Sequence, residues 1–390
     1  MIRRLWAGVM ALALTGTVAG PVNAAAVSAW PQAGADAGRS HYNPHESILN
    51  ASTVAKLKLR WQLPSTRSEC PGLVGPVIAG GLTLTQDTSG LAARESATGR
   101  LVWRETDVFS DRLAYNIAVS GTTVVVTSSD SLCMIEGGDA DGLVLASDLA
   151  TGRQLWKRSP NTDAAQLVVT RGTVIVSGND YGTVPNVEAY RLSDGATVWS
   201  DGDGTDGART LLSTVSIGGD VVISGNREPW RVDAATGQPK GSWPSAWTPL
   251  ASYGNWLFVG DNSDWSLKAV RVSDQGVVWS MDRVSNRIAT DGRRLYLGVG
   301  SSLEAYDVAS GKRAWSVNLG ARVGQPVRAG GLVYVPVTGK PVAVRNASTG
   351  TKVTPSPALS KVSSVAAVGG GRLLGTGPGG LGVFGYRPNS

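Results

Sequence analysis

One string recurs along nearly the whole chain and sets what the chain can fold into. ASDLATGRQLW, from Ala146 to Trp156, returns as AARESATGRLVW ending at Trp103, AYRLSDGATVW at Trp199, WRVDAATGQPKGSW at Trp243, AVRVSDQGVVW at Trp279 and AYDVASGKRAW at Trp315. A worn copy, AVRNASTGTKV, ends at Val353. In five copies the leading alanine (Ala93, Ala146, Ala189, Ala269, Ala305) stands ten residues before the tryptophan, and Ala343 keeps that offset to Val353. A long motif at near-regular intervals is the mark of a repeat architecture, in which one supersecondary unit is copied and stacked.

The spelling of one copy gives its conformation. Leu143, Leu145 and Ser147 alternate as a strand requires; Asp148 to Gly152 spell a turn, with Asp accepting local backbone N–H groups and Gly free to take positive φ; Leu155 and Trp156 open the returning strand. The unit is a hairpin with a heavy apolar residue on its far arm. A buried Trp removes roughly 150–250 Å² from water, an upper estimate of about 4–6 kcal/mol. Trp61, Trp103, Trp156, Trp199, Trp243, Trp279 and Trp315 are therefore read as structural docking residues that glue each repeat to the next.

With the worn Val353, these positions fall at 61, 103, 156, 199, 243, 279, 315 and 353, which implies eight repeats. About three Gly-bounded strands lie between consecutive positions, which suits a four-stranded blade. The strand before Trp61 has no preceding partners, while Val365–Val368, Arg372–Gly375 and Gly380–Phe384 have no Trp-bearing strand after them. Pairing the two ends closes a ring. The expectation is an all-β, eight-bladed β-propeller of four-stranded antiparallel blades, closed by pairing of N- and C-terminal strands. Fifty glycines, 42% hydrophobic residues and only 17% charged ones agree with it, supplying turns and core in the needed measure.

The chain opens on Arg3 and Arg4, an apolar run from Leu5 to Val18 and a small-x-Ala site at Val22-Asn23-Ala24, the pattern of an export signal. No cysteine follows that site to carry a lipid anchor, and no later apolar run is long enough to span a bilayer. The expected organisation is a signal peptide over 1–24, an N-terminal approach segment over 25–53 and a single propeller over 54–390, secreted or placed in the cell envelope. Removing Arg3 and Arg4 lowers the formal charge from +6 to +4, too mild and too scattered to argue for nucleic-acid or membrane binding.

The A-x-D-x-x-T-G-x-x-x-W hairpin resembles the tryptophan-docking motif of quinoprotein propellers, the repeat named for pyrroloquinoline quinone (PQQ). The opening W-P-x-x-G-x-D-x-x-x-S-x-Y-N-P-x-E, with Trp30, Pro31, Gly34, Asp36, Ser40, Tyr42, Asn43, Pro44 and Glu46, is similar to the N-terminal approach of those proteins. The resemblance covers about Trp30 to Phe384. It implies the fold, while activity must be argued from a site, because PQQ alcohol dehydrogenases and the non-catalytic propeller of the outer-membrane barrel-assembly machinery share it. In the dehydrogenases the resemblance implies PQQ between a Trp floor and a ring of adjacent cysteines, with calcium and an Asp base. Cys70 and Cys133 are not adjacent and no C-x-x-C-H occurs, so neither the cysteine ring nor a haem site can form.

The remaining candidates are few. Cys70 and Cys133 are expected as a disulfide, closing a loop of 63 residues (133 minus 70). His41 and His45, the only histidines, are expected at the surface, which leaves no His for a catalytic triad in the propeller. Asp201, Asp203 and Asp206 space carboxylates along a loop as calcium would need, without a closing Glu. Asn116, Arg209, Arg287 and Arg322 stand where the channel-lining strands begin, and the arginines form a candidate positive funnel for an anionic ligand or an acidic peptide. The function expected is an exported, non-catalytic binding or scaffold propeller, monomeric, with a protein partner and no cofactor. The alternatives are a divergent PQQ-dependent alcohol or aldose dehydrogenase holding PQQ and calcium, and a cell-wall or carbohydrate binder using Trp230, Trp247, Trp256 and Trp265.

Overall fold

A computed structural model describes residues 30–386 apart from 65–74, 88–89, 107–112, 130–141, 163, 179–186, 202–212, 225–228 and 284. Eight sheets form eight blades, antiparallel except for Tyr42–Asn43, which joins blade 7 parallel to Val327–Ala329, and among the described residues only two short 3₁₀ turns, Val54–Lys56 and Pro357–Lys361, interrupt the strands. Blade 1 is Val77–Ala79, Leu82–Asp87, Gly90–Glu95 and Leu101–Glu105, paired in chain order. Blades 2 to 6 repeat that order at 113–158, 166–201, 213–242, 247–281 and 288–318. Blade 7 comprises Val327–Ala329, Leu332–Val337, Lys340–Asn346 and the two-residue Lys352–Val353. In blade 8, Ser364–Gly369, Arg372–Gly377 and Gly380–Gly385 take their fourth strand from Lys58–Leu63, which closes the ring between the chain's two ends.

The hairpin's spelling has a packing consequence. Each leading alanine lies directly opposite its tryptophan across the hairpin, as Ala93 with Trp103, Ala189 with Trp199 and Ala305 with Trp315. The small residue leaves room, and the indole tips onto the next blade. There its N–H donates to a turn carbonyl: Trp61 to Ser96 (3.1 Å), Trp103 to Leu149 (2.8 Å), Trp156 to Leu192 (2.8 Å), Trp199 to Ala234 (3.0 Å), Trp279 to Val308 (2.6 Å) and Trp315 to Ala347 (3.1 Å). The ring face lies on the turn glycine, at Gly99, Gly152, Gly195, Gly237, Gly311 and Gly350 in the same order. All six have positive φ, and a Cβ there would meet the indole at 2.6–2.7 Å. The T-G of the motif is thus both the turn and the seat for the ring.

Two joints differ. At blade 5 the αL position belongs to Gln275 (φ 59), and Trp243, although buried, leaves its indole N–H without a partner. At the joint from blade 7 to blade 8 no Trp is present, Val353 standing in its place.

The chain from Trp30 to Asn43 runs around one end of the central channel. It bonds to one residue of every inner strand in turn. Trp30 exchanges two backbone bonds with Ile78; the Pro31 carbonyl accepts from Val119; the Gln32 side chain bonds both N–H and C=O of Val169. The carbonyls of Ala37, Gly38, Ser40 and His41 accept from Ser216, Ser252, Thr290 and Arg328, and Asn43 donates to Val368 (2.8 Å). Close approach is what the short side chains here permit: a Cβ on Gly38 would fall 2.3 Å from the Ser252 carbonyl. His41, expected at the surface, is half-buried in this ring, because its backbone is bonded on both sides and Trp30 packs 6.5 Å from its imidazole; His45 is exposed. Burial, with Arg39 nearby, pushes the His41 pKa down to about 4.

Candidate functional site

The Trp30–Asn43 segment meets the inner strands near their C-terminal ends, so the opposite mouth of the channel is framed by the residues that precede or begin those strands. Two of the arginines singled out from the sequence come together there. Arg287 enters blade 6: its N–H donates to the Ser285 hydroxyl and its carbonyl accepts from Gly298. Arg322 enters blade 7, pinned by Thr338 N–H on its carbonyl (2.9 Å) and by the Val323–Val337 bridge that follows. The Gln325 amide donates to the Ile288 carbonyl at 2.6 Å and ties the two strand entries side by side.

Both arginines line one cavity of about 540 Å³ that reaches from the mouth over blade 7 to blade 8. Lys340, from the turn of blade 7, and Lys361, at the entry to blade 8, line it too. Among the described residues the walls are otherwise valines, prolines, glycines and hydroxyls, with no carboxylate. None of the four cations forms an ion pair with a described residue; Lys340 donates to the Leu319 carbonyl (2.9 Å). Elsewhere on the rings of strands cations are paired, as Arg231 and Lys240 on Asp220 or Lys268 on Asp261 and Asp264. Four unpaired positive groups about one concavity raise the local concentration of anions and offer charge-assisted bonds to carboxylate or phosphate.

The other sequence candidates are placed as follows. Asn116 donates to the Ala165 carbonyl (2.8 Å), stitching blade 2 to blade 3, and does not line this cavity. Gln166, which begins the inner strand of blade 3, makes the same kind of stitch, accepting from Thr214 N–H and from Arg39. Asp201 ends the outer strand of blade 3. Arg209, Asp203, Asp206, Cys70, Cys133 and the export signal lie outside the described residues. Of the tryptophans offered to sugars, Trp247 is buried with its N–H on Asp261 (2.8 Å), Trp230 and Trp256 are half-buried against the core, and Trp265 alone is exposed, at 73%. Lys340 and Lys361 were missed from sequence; the blade register that puts the Thr338-Gly339 turn at the mouth was the signal for Lys340.

A quinone with its calcium makes definite demands, a flat aromatic support and oxygen ligands from carboxylates. The cavity's lining has neither ring nor carboxylate, and among the described residues no group of three or more His, Cys, Asp or Glu could hold a metal ion. The described residues therefore do not fit PQQ with calcium.

Fold and docking pattern together define an eight-bladed propeller of the PQQ-like repeat class. The profile of the family described as outer membrane protein assembly factor BamB matches residues 58–281, more than half of the chain, and the chain belongs to that family. Its relatives divide by function. A quinohemoprotein alcohol dehydrogenase from Comamonas testosteroni is 27% identical over 310 residues, covering 75% of this chain and 39% of the enzyme. The chain thus spans about two-fifths of that relative's length. Among solved structures, BamB from Moraxella catarrhalis superposes with a TM-score of 0.61 at 15% identity, covering 86% of this chain and 99% of that one. A europium-containing methanol dehydrogenase superposes at 0.59 and 14% identity, covering 91% and 89%. At these identities the structural likenesses show the fold alone. No helix among the described residues is long and apolar enough to cross a membrane.

Proposed function

We propose that the chain is an exported, non-catalytic binding or scaffold propeller that works through a protein partner. The observation that carries this reading is the cavity over blades 6 to 8, where Arg287, Arg322, Lys340 and Lys361 face a shared space without a described carboxylate to neutralise them. Such a site is built to recruit negative charge; the Trp30–Asn43 segment meanwhile braces all eight inner strands at the other end, as suits a rigid platform. Membership of a family described as an assembly factor supports the same reading. Export rests on the Arg3-Arg4, apolar and Val22-Asn23-Ala24 pattern.

The test is a titration of the mature protein with PQQ, with and without Ca²⁺, followed by Trp fluorescence and by dye-linked oxidation of alcohols and aldoses. The expected result is no saturable binding up to about a millimolar, weaker than roughly −4 kcal/mol. Saturable binding with turnover would overturn the reading in favour of a dehydrogenase.

A further inference from the structure

The cationic cavity continues into a second one. A space of about 430 Å³ lies against the outer side of blade 7, and its lining shares Val337, Lys340, Pro341 and Ser360 with the first. Its remaining charged residues are Arg345 and Lys352, again with no carboxylate. The two make one groove running from the channel mouth to the rim of the propeller, with six cations along it.

The groove exists because the blade 7 repeat is worn. In blade 6 the third and outer strands pair from Ser302↔Asn318 to Tyr306↔Arg313, five pairs. In blade 7 only Val344↔Val353 and Arg345↔Lys352 pair. After Val353 the chain reads Thr354-Pro355-Ser356-Pro357 and turns into the 3₁₀ segment Pro357–Lys361, since proline cannot continue a ladder. Lys340–Ala343 therefore has no strand paired on its outer side and no docking Trp against it; the Pro357–Lys361 segment packs beside it instead, and the cavity lies between the two. An unpaired edge beside a cavity is a template for an extended segment from another chain.

Arg345 says what charge that segment carries. Its Nη1 donates to the Val344 carbonyl at 3.2 Å, but its Nε is shut off from solvent with no hydrogen-bond partner. Burial lowers its pKa, the sign that desolvation is uncompensated. A guanidinium left so is costly, and an incoming carboxylate offsets part of that cost with charge-assisted bonds to its terminal N–H groups.

We propose that this groove is the docking site for an extended acidic segment of a partner protein, laid along the open Lys340–Ala343 edge with its carboxylates on Arg345, Lys340 and the cations at the channel mouth. This rests on the scaffold reading and deepens it. The probe is a short fluorescein-labelled peptide alternating Glu and Val, with the same peptide carrying Lys for Glu as comparison, read by anisotropy on the mature protein. The Glu peptide binds saturably and more weakly as salt rises. Arg345→Gln and Lys340→Gln each weaken it by about tenfold or more, the scale of a lost charge-assisted bond, while Lys157→Gln on blade 2 leaves it unchanged. In the unmodified protein, peptide slows amide exchange at Val342–Val344, a readout independent of how the variants fold.

Equal binding of the Lys peptide, protection confined to other blades, or complete displacement by millimolar inorganic phosphate would each overturn the inference. The two readings fail separately. PQQ turnover with peptide binding intact sinks only the scaffold reading, whereas indifference to both probes sinks only the acidic-segment docking.

Discussion

If the turn glycine is the seat for the indole, filling it and restoring it should shift stability in opposite directions. Gly195 has φ +69, and a Cβ there would stand 2.6 Å from Cδ2 and 2.7 Å from Cε3 of Trp156. Gly195→Ala places an L residue in the left-handed region, at about 1–2 kcal/mol. It also lifts the Trp156 ring from its seat and breaks the 2.8 Å bond to the Leu192 carbonyl, about 1 kcal/mol more. With part of the Trp156 face returned to water, the expected loss is about 3 kcal/mol. Gln275→Gly is the mirror experiment. Gln275 already sits at φ 59, so glycine relieves about 1 kcal/mol of backbone strain, partly offset by its greater freedom when unfolded, and opens the seat that Trp243 lacks. A gain of about 0.5–1 kcal/mol follows. Urea unfolding followed by Trp fluorescence measures both. A loss below about 1 kcal/mol for Gly195→Ala, or destabilisation by Gln275→Gly, refutes the seat as the reason for the T-G spelling.

Two further predictions concern the N-terminal segment. Because the folded pKa of His41 is near 4 against the usual 6.5, the unfolded chain takes up a proton that the folded one refuses; stability is full above pH 6.5 and falls as pH drops through 6.5 toward 4. The change is at most about 3 kcal/mol, less for solvent around a half-buried ring, and denaturation midpoints across that window should flatten in His41→Gln. Glu46 is buried and accepts from the backbone N–H of Ile48 (2.7 Å), Leu49 (2.8 Å) and Gly371 (3.0 Å), so Glu46→Ala should cost about 3 kcal/mol in thermal or urea unfolding, with Glu46→Gln recovering part of it.

The blades were legible because their signal is local and repeated. The Ala-to-Trp offset of ten encodes a cross-strand pair, and eight such positions fix the blade number and the closure through Lys58–Leu63. What sequence reading missed depends on non-local packing. His41 follows a polar, turn-rich stretch that looks solvated, yet its backbone bonds inside the channel end. Arg287 and Arg322 were found from register, but Lys340 and Lys361 reach the same cavity from a turn and a 3₁₀ segment, which no periodicity marks. The failed seat at blade 5 was visible as D-Q-G in place of D-G or T-G, and the open edge of blade 7 as Pro355 after a missing Trp. Their meaning required the neighbour that each one fails to meet.

The ring of bonds from Trp30 to Asn43 has a consequence that a plain propeller lacks. Blades normally contact only their two neighbours, so a local defect stays local. Here one segment bonds to all eight inner strands in order, anchored at its start by Trp30, which is 1% exposed and exchanges backbone bonds with Ile78. Trp30→Ala removes that anchor at about 3–5 kcal/mol. If the segment couples the blades, hydrogen exchange should quicken near Ile78 and also at Ser216, Ser252, Thr290 and Arg328, whose N–H groups it accepts on the far side of the ring. Faster exchange confined to blades 1 and 2 would show that the segment is held blade by blade. Exchange that rises together around the ring would mean that its bonds form and break as one unit, making the platform beneath the cationic groove rigid as a whole.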